Sequence, residues 1–240
     1  MNRVYSLVCV VLMMLVSCKQ QKKDIETRTA SEEMVKENDN WISLMDASLW
    51  RGYNEDTLPG NWQFKGDIIE CFGKGGDIGG DIITKDTYDN FELSLEWKIT
   101  DGGNSGIFYH VVEDTIYRAP YETGAEYQLL DDEGFPEPIE EWQKTGANYA
   151  MHEADKDKKM LKPVGEWNSS KIVFNKGEVE HWLNGQKIVT FNKFSDDWKA
   201  KRNSGKWNDY PDYGNTNDGY LGLQDHGAGV WFRNVKVRRL

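Results

Sequence analysis

Single-residue alternation of apolar and polar side chains marks most of the chain after residue 41, and that period of two puts every second side chain on the same face of an extended strand. Residues 91–99 show it most clearly. Phe91, Leu93, Leu95, Trp97 and Ile99 alternate there with Glu92, Ser94, Glu96 and Lys98, so one face is core and the other is wet. Residues 179–183 and 186–191 are two further runs joined by Asn184-Gly185, and Asn-Gly between such runs specifies a tight hairpin because both turn positions need positive φ. Strands are also expected at 62–71, 106–112, 126–130, 171–174, 220–224 and 230–238. No internal repeat and no sustained helical periodicity is present. Residues 131–164 and 194–219 are long irregular stretches, and loops of that length more often carry binding function than merely connect strands. The pattern predicts an all-β fold, a jelly-roll sandwich of two curved antiparallel sheets packed face to face.

The chain before residue 41 reads differently. Arg3, the apolar run 4–15 and small residues before Cys18 form a secretion signal over residues 1–17, too short to span a bilayer. Leu15-Val16-Ser17-Cys18 resembles the lipobox of bacterial lipoproteins, whose cysteine is acylated before cleavage. The expectation is an exported protein, lipid-anchored through Cys18 to the cell envelope on a periplasmic or outer-membrane surface. It would touch the membrane through that anchor alone, with a polar linker over 18–40 and one folded domain over 41–240. An ordinary secreted protein is the alternative. Cys9 leaves with the signal, so only Cys71 remains in the domain, and it reads as a small buried hydrophobe rather than a nucleophile. Stability must then come from a core and not from disulfides.

Charge narrows the partners. The formal net charge of −11 becomes −12 once Arg3 is removed, 28 basic against 40 acidic residues, which argues against nucleic acid and anionic lipid surfaces. A neutral ligand fits better. Ten tryptophans and eleven tyrosines supply flat faces with polar edges that stack on sugar rings, although most are expected in the core.

Among local motifs, the glycine run over residues 73–80 lacks both a following helix and a Gly-Lys-Ser/Thr ending, so it reads as a turn and not as a phosphate loop. The four histidines, His110, His152, His181 and His226, show no close metal-ligand spacing. Strand parity is more informative. Tyr127 and Leu129 point inward, which sends Glu126 and Gln128 to the opposite face; Leu221 and Leu223 do the same for Tyr220, Gly222 and Gln224. Such a face is either an ordinary solvated one or a binding surface offering a carboxylate, amides and a phenol.

Several segments occur in an order that carries a resemblance. They are Trp62-Gln63-Phe64, Tyr88-Asp89-Asn90-Phe91, Asn104-Ser105-Gly106-Ile107, Gly124-Ala125-Glu126-Tyr127-Gln128, Gly165-Glu166-Trp167-Asn168, His181-Trp182-Leu183-Asn184-Gly185, Gly222-Leu223-Gln224-Asp225-His226-Gly227 and Phe232-Arg233-Asn234-Val235. Taken together, from about residue 41 to 240, the chain resembles the 3-keto-disaccharide hydrolase family with its concanavalin A-like jelly roll. The resemblance implies cleavage of 3-keto-glycosides or disaccharides made by an upstream sugar 3-oxidoreductase. A C3 ketone acidifies the C2 proton, so one base can start a β-elimination at C1 and added water completes a net hydrolysis. Glu126 and His226 are then the candidate proton-transfer residues, with Asn104, Gln128 and Gln224 as partners for hydroxyls and carbonyls. Asp225 either orients His226 or caps a turn with Gly227, and Arg233 either steadies the enolate or ends a strand on a wet face. Tyr149, Trp167 and Asn168 are candidate groove walls, core packing being the stronger expectation for Trp167. His110 stands where many members have arginine, as a candidate substrate contact. The resemblance leaves a divalent metal open. Two rivals stand beside it: a non-catalytic carbohydrate-binding lipoprotein of the same fold, and a plain glucanase. Against the glucanase, Glu92-x-Ser94-x-Glu96 does not supply its Glu-x-Asp-x-x-Glu strand.

Overall fold

A computed structural model describes residues 40–73 and 80–240. The expected signal over 1–17, Cys18, the expected linker up to residue 39 and residues 74–79 of the glycine run lie outside the described residues. No helix among the described residues is long and apolar enough to cross a membrane.

The alternating segment at 91–99 is a strand from end to end, β6 (Phe91–Ile99), and its five apolar residues are at most 3% exposed. It lies inside an eight-stranded antiparallel sheet. The order is β11 (Gln186–Asn192), β10 (Glu178–Leu183), β9 (Asn168–Asn175), β6, β13 (Val230–Arg239), β4 (Ile68–Cys71) and β3 (Trp62–Lys65), with β1 (Ile42–Ser43) paired to β13. A five-stranded sheet faces it in the order β2 (Trp50–Gly52), β5 (Ile82–Tyr88), β12 (Gly219–Leu223), β7 (Asn104–Val111) and β8 (Ala125–Leu130). Tyr127 and Leu129 of β8 and Leu221 and Leu223 of β12 join the residues of β6 in one buried core between the layers. Polar edges of the aromatic residues are satisfied across the gap. Trp97 Nε1 donates to Ser170 Oγ at 2.8 Å, Ser170 donates to Tyr127 OH at 2.9 Å, and Tyr127 donates to the Trp182 carbonyl at 3.1 Å. The expected sandwich is present, and so is its Asn184-Gly185 hairpin, with φ of 47° and 81° at the turn.

Besides the short strands β1 and β2, which the pattern did not announce, three departures from the sequence reading have a local cause. Residues 62–71 are a hairpin rather than one strand, because Gly66 at φ 62° reverses the chain between Lys65 and its partner Ile68. β5 begins with Ile82, Ile83 and Thr84 all buried, so it shows no alternation to read. The stretch 194–219 contains a short helix, α1 (Asp196–Arg202), started by Ser195, which accepts from Trp198 N, with Asp196 and Asp197 in its first turn and basic residues in its last. Two turns are too few to declare a helical period.

The other long stretch positions the site. Gly146 N donates to Gln128 O, Gln128 N to Ala147 O and Tyr149 N to Glu126 O, at 2.9 to 3.1 Å, so residues 146–149 cover the outer edge of β8. Tyr149 is thereby brought alongside Glu126.

Candidate active site

Because Tyr127 and Leu129 turn into the core, Glu126 and Gln128 emerge on the far face of the smaller sheet, as strand parity requires. In register, Gly106 of β7 sits opposite Gln128, and the Gln224 N–H donates to Gly106 O at 3.0 Å, which sets Gln224, Gly106 and Gln128 in a row across three chain segments. Gly106 is required there. A Cβ on it would lie 2.3 Å from Glu126 Oε1, so the carboxylate occupies the space a side chain would take. Ser105 Oγ donates to Gln224 O at 2.8 Å and fixes that residue further.

Glu126, Gln128 and Gln224 line a cavity of about 280 Å³ with Asn104, Tyr149 and His226. The structure therefore brings together six of the residues singled out from sequence. Gln128 Nε2 donates to Asn104 Oδ1 at 3.3 Å, which leaves Gln128 Oε1 with no partner, and Gln224 Oε1 is likewise buried and unpaired. A buried acceptor without a donor costs about 1–3 kcal/mol, and sugar hydroxyls are suitable donors. Glu126 is the only carboxylate among the described residues lining this cavity. A neighbouring hollow of about 540 Å³, bounded by Thr100, Phe135 and Gly229, shares Asn104 and His226 with it. Asn104 and His226 thus border both hollows.

The remaining candidates lie elsewhere. His110 belongs to a bulge: Tyr220 pairs with Val111 and Gly222 with Phe108, so Tyr109 and His110 together oppose one residue, and His110 takes φ 56°. Its ring turns inward against Phe91 and Phe174, Nε2–H donates to Asp89 O at 2.9 Å, and burial pushes its pKa down to about 4. It is a core histidine, not a wall of this cavity. Arg233 lies on the outer face of the larger sheet, where Nε donates to Glu96 Oε2 at 2.8 Å and the guanidinium stacks 4.2 Å from the Trp167 ring. The thickness of the sandwich separates it from Glu126. Trp167, expected in the core, is half-buried on that outer face between Arg233 and Lys98. Asn168 is structural: its Oδ1 accepts from Lys162 N and Asn184 Nδ2. Asp225 accepts from Gly227 N at 3.0 Å and Asn61 Nδ2 at 2.7 Å, the turn-capping alternative. Cys71 is fully buried, and burial pushes its thiol up to about 12.

Residue patterns alone did not reveal Tyr121, Lys206 and Tyr210, which complete the cavity. Two of them come from the stretch 194–219, whose length and aromatic content were the available signal. A larger hollow of about 1040 Å³ beside residues 153–158 presents charges that are largely paired, such as Lys158 with Asp155 at 2.7 Å and Lys201 with Asp197. No group of three or more His, Cys, Asp or Glu among the described residues is placed to hold a metal ion.

The profile of the 3-keto-alpha-glucoside-1,2-lyase-like domain matches residues 40–238. The chain belongs to this family. A curated 3-keto-disaccharide hydrolase of Bacteroides thetaiotaomicron is 31% identical over 97% of this chain and 96% of its own length. A crystal structure of a proposed glycosyl hydrolase from Parabacteroides distasonis superposes with a TM-score of 0.79 at 42% identity, covering 85% of this chain and 95% of that one. A second from the same organism gives 0.60 at 27% identity, over 80% of this chain and 99% of that one. The 3-keto-lyase-like family thus spans the whole sandwich, including every strand that lines the cavity.

Proposed function

We propose that this chain cleaves glycosides whose C3 carbon is a ketone, by removal of the C2 proton and β-elimination at C1, with water addition giving net hydrolysis. Family membership and the named hydrolase support an enzyme over the non-catalytic sugar-binding alternative. The observation that carries the chemistry is one carboxylate, Glu126, held in a cavity beside two unpaired amide oxygens. Ordinary glycosidases work with a pair of carboxylates flanking the bond. Elimination from a ketone needs one base, a stabiliser for the enolate and a proton for the leaving oxygen. Glu126 is the base. His226, shared by the two hollows, stands where the bond between two units would cross and protonates the departing oxygen. Asn104, Gln128 and Gln224 hold the hydroxyls of the keto-sugar ring. A lipid on Cys18 would keep the enzyme at the cell envelope, near the oxidoreductase that supplies the keto sugar.

Parallel assays with a 3-keto-glucoside and the matched unoxidised glucoside test this. Sugar release from the keto form alone is expected. Equal cleavage of both would indicate an ordinary glycosidase, and binding without turnover of either would indicate a lectin-like module.

A further inference from the structure

The elimination places negative charge on the C3 oxygen, and a cation or a set of N–H donors must receive it. Arg233, the cation the sequence suggested, is held by Glu96 on the opposite face of the sandwich. Lys206 is the one lysine or arginine among the described residues lining the cavity that contains Glu126. Its Nζ lies 4.5 Å from the ring centre of Tyr149, 4.8 Å from Tyr121 and 5.2 Å from Trp207. Ring faces attract an ammonium and restrict a side chain that is otherwise long and mobile.

The rings are themselves fixed. Trp207 is 1% exposed, stacks on Tyr213 at 3.5 Å and donates Nε1–H to Ala150 O at 3.2 Å. Tyr149 is tied to the strand of the base by its N–H to Glu126 O at 3.0 Å. The residue that removes the proton and the box that holds the cation are thus referenced to the same backbone. A preorganised charge in a partly closed site stabilises developing negative charge without reorganising when the reaction occurs.

We infer that Lys206 is the electrophilic partner of the C3 ketone, which deepens the elimination reading and rests on it. The C2–H bond breaks and the proton passes to the Glu126 carboxylate. Its electron pair forms the C2–C3 double bond of the enolate, and the C3 oxygen takes up negative charge while accepting an N–H from the Lys206 ammonium. The pair then returns to re-form the C3 carbonyl, a C1–C2 double bond forms, and the C1–O bond breaks toward the proton donated by His226.

The test uses the full chain with Lys206→Met, Lys206→Gln and Lys206→Arg, melting curves serving to choose a Met or Gln variant that folds. Both kcat and C2 hydrogen exchange of a 3-keto-glucoside in deuterated water are expected to fall by about a hundredfold or more in that variant, the scale for loss of one oxyanion donor. The KM should change far less, and Lys206→Arg should recover part of the rate. Exchange and kcat within about threefold of wild type in the folded variant would overturn the role of Lys206 while leaving the elimination standing. Cleavage by the wild-type enzyme without any C2 exchange would instead overturn the elimination reading and this inference with it. A borohydride-trapped adduct on Lys206, seen by mass spectrometry, would also overturn it, because the lysine would then act as an imine-forming amine and not as an ammonium donor.

Discussion

Glu126→Gln is expected to slow cleavage of a 3-keto-glucoside by about a hundredfold or more and to leave the fold unchanged. The amide keeps the size of the carboxylate and can still lie across Gly106, whose missing Cβ leaves that space. The backbone of Glu126 is held by Tyr149 N and by pairing with β7, neither of which the substitution touches. The capacity to accept the C2 proton is lost, so exchange at C2 should fall in step with cleavage. His226→Ala should behave differently. Cleavage falls because the leaving oxygen goes unprotonated, whereas exchange at C2 persists because the base is intact. A Glu126→Gln enzyme within tenfold of wild type would move the base to another residue, and an unchanged rate in both variants would move the site.

A second large effect is expected on acidification. His181 is fully buried, with Nδ1 at 3.0 Å from Gly146 O and Nε2 at 3.1 Å from Tyr109 OH. The carbonyl can only accept, so Nδ1 carries the proton and Nε2 accepts from the phenol, an arrangement that suits the neutral ring. Burial pushes His181 down to about 4, as it does His110. Unfolding raises both toward the ordinary histidine value of about 6.5. Between these values the unfolded chain binds more protons than the folded one, so stability is complete above about pH 6.5 and is lost as the pH falls toward 4. By pH 5 the loss is about 2 kcal/mol for each histidine, a large fraction of a typical folding free energy. Urea unfolding at pH 7 and pH 5 measures it. Equal stability at the two values would mean that neither ring is held neutral.

The sandwich was legible in the chain because its larger sheet packs one face on the core and leaves the other wet, as the alternation in β6 announces. β5 escaped because its first three residues are all buried, and α1 because it has only two turns. At the site, parity alone sent Glu126 and Gln128 to a shared face, and the cavity forms there. His110, a candidate through the resemblance alone, sits where a bulge turns two neighbouring side chains the same way, and adding one residue to a strand leaves no mark in the residue types. Arg233 illustrates a different gap. Its outward orientation follows from alternation with Phe232, but which of the two outer faces carries the site depends on sheet assignment, a long-range property. Lys206 comes from a short 3-10 helix (Gly205–Asp209), against which Trp207 and Tyr213 pack together, and no local period encodes its place over the sheet.

The claim that the C3 ketone serves to acidify C2 is tested most directly by following the C2 hydrogen of a 3-keto-glucoside during turnover in deuterated water, against a heat-inactivated control. Elimination requires that this bond break. Deuterium at C2 in the product or in recovered substrate, above the control, is the expected result, and a C2-deuterated substrate should react more slowly. Product formed with no deuterium at C2 and no C2 isotope effect would contradict the account, since direct displacement at C1 leaves that bond intact and gives the ketone no chemical task.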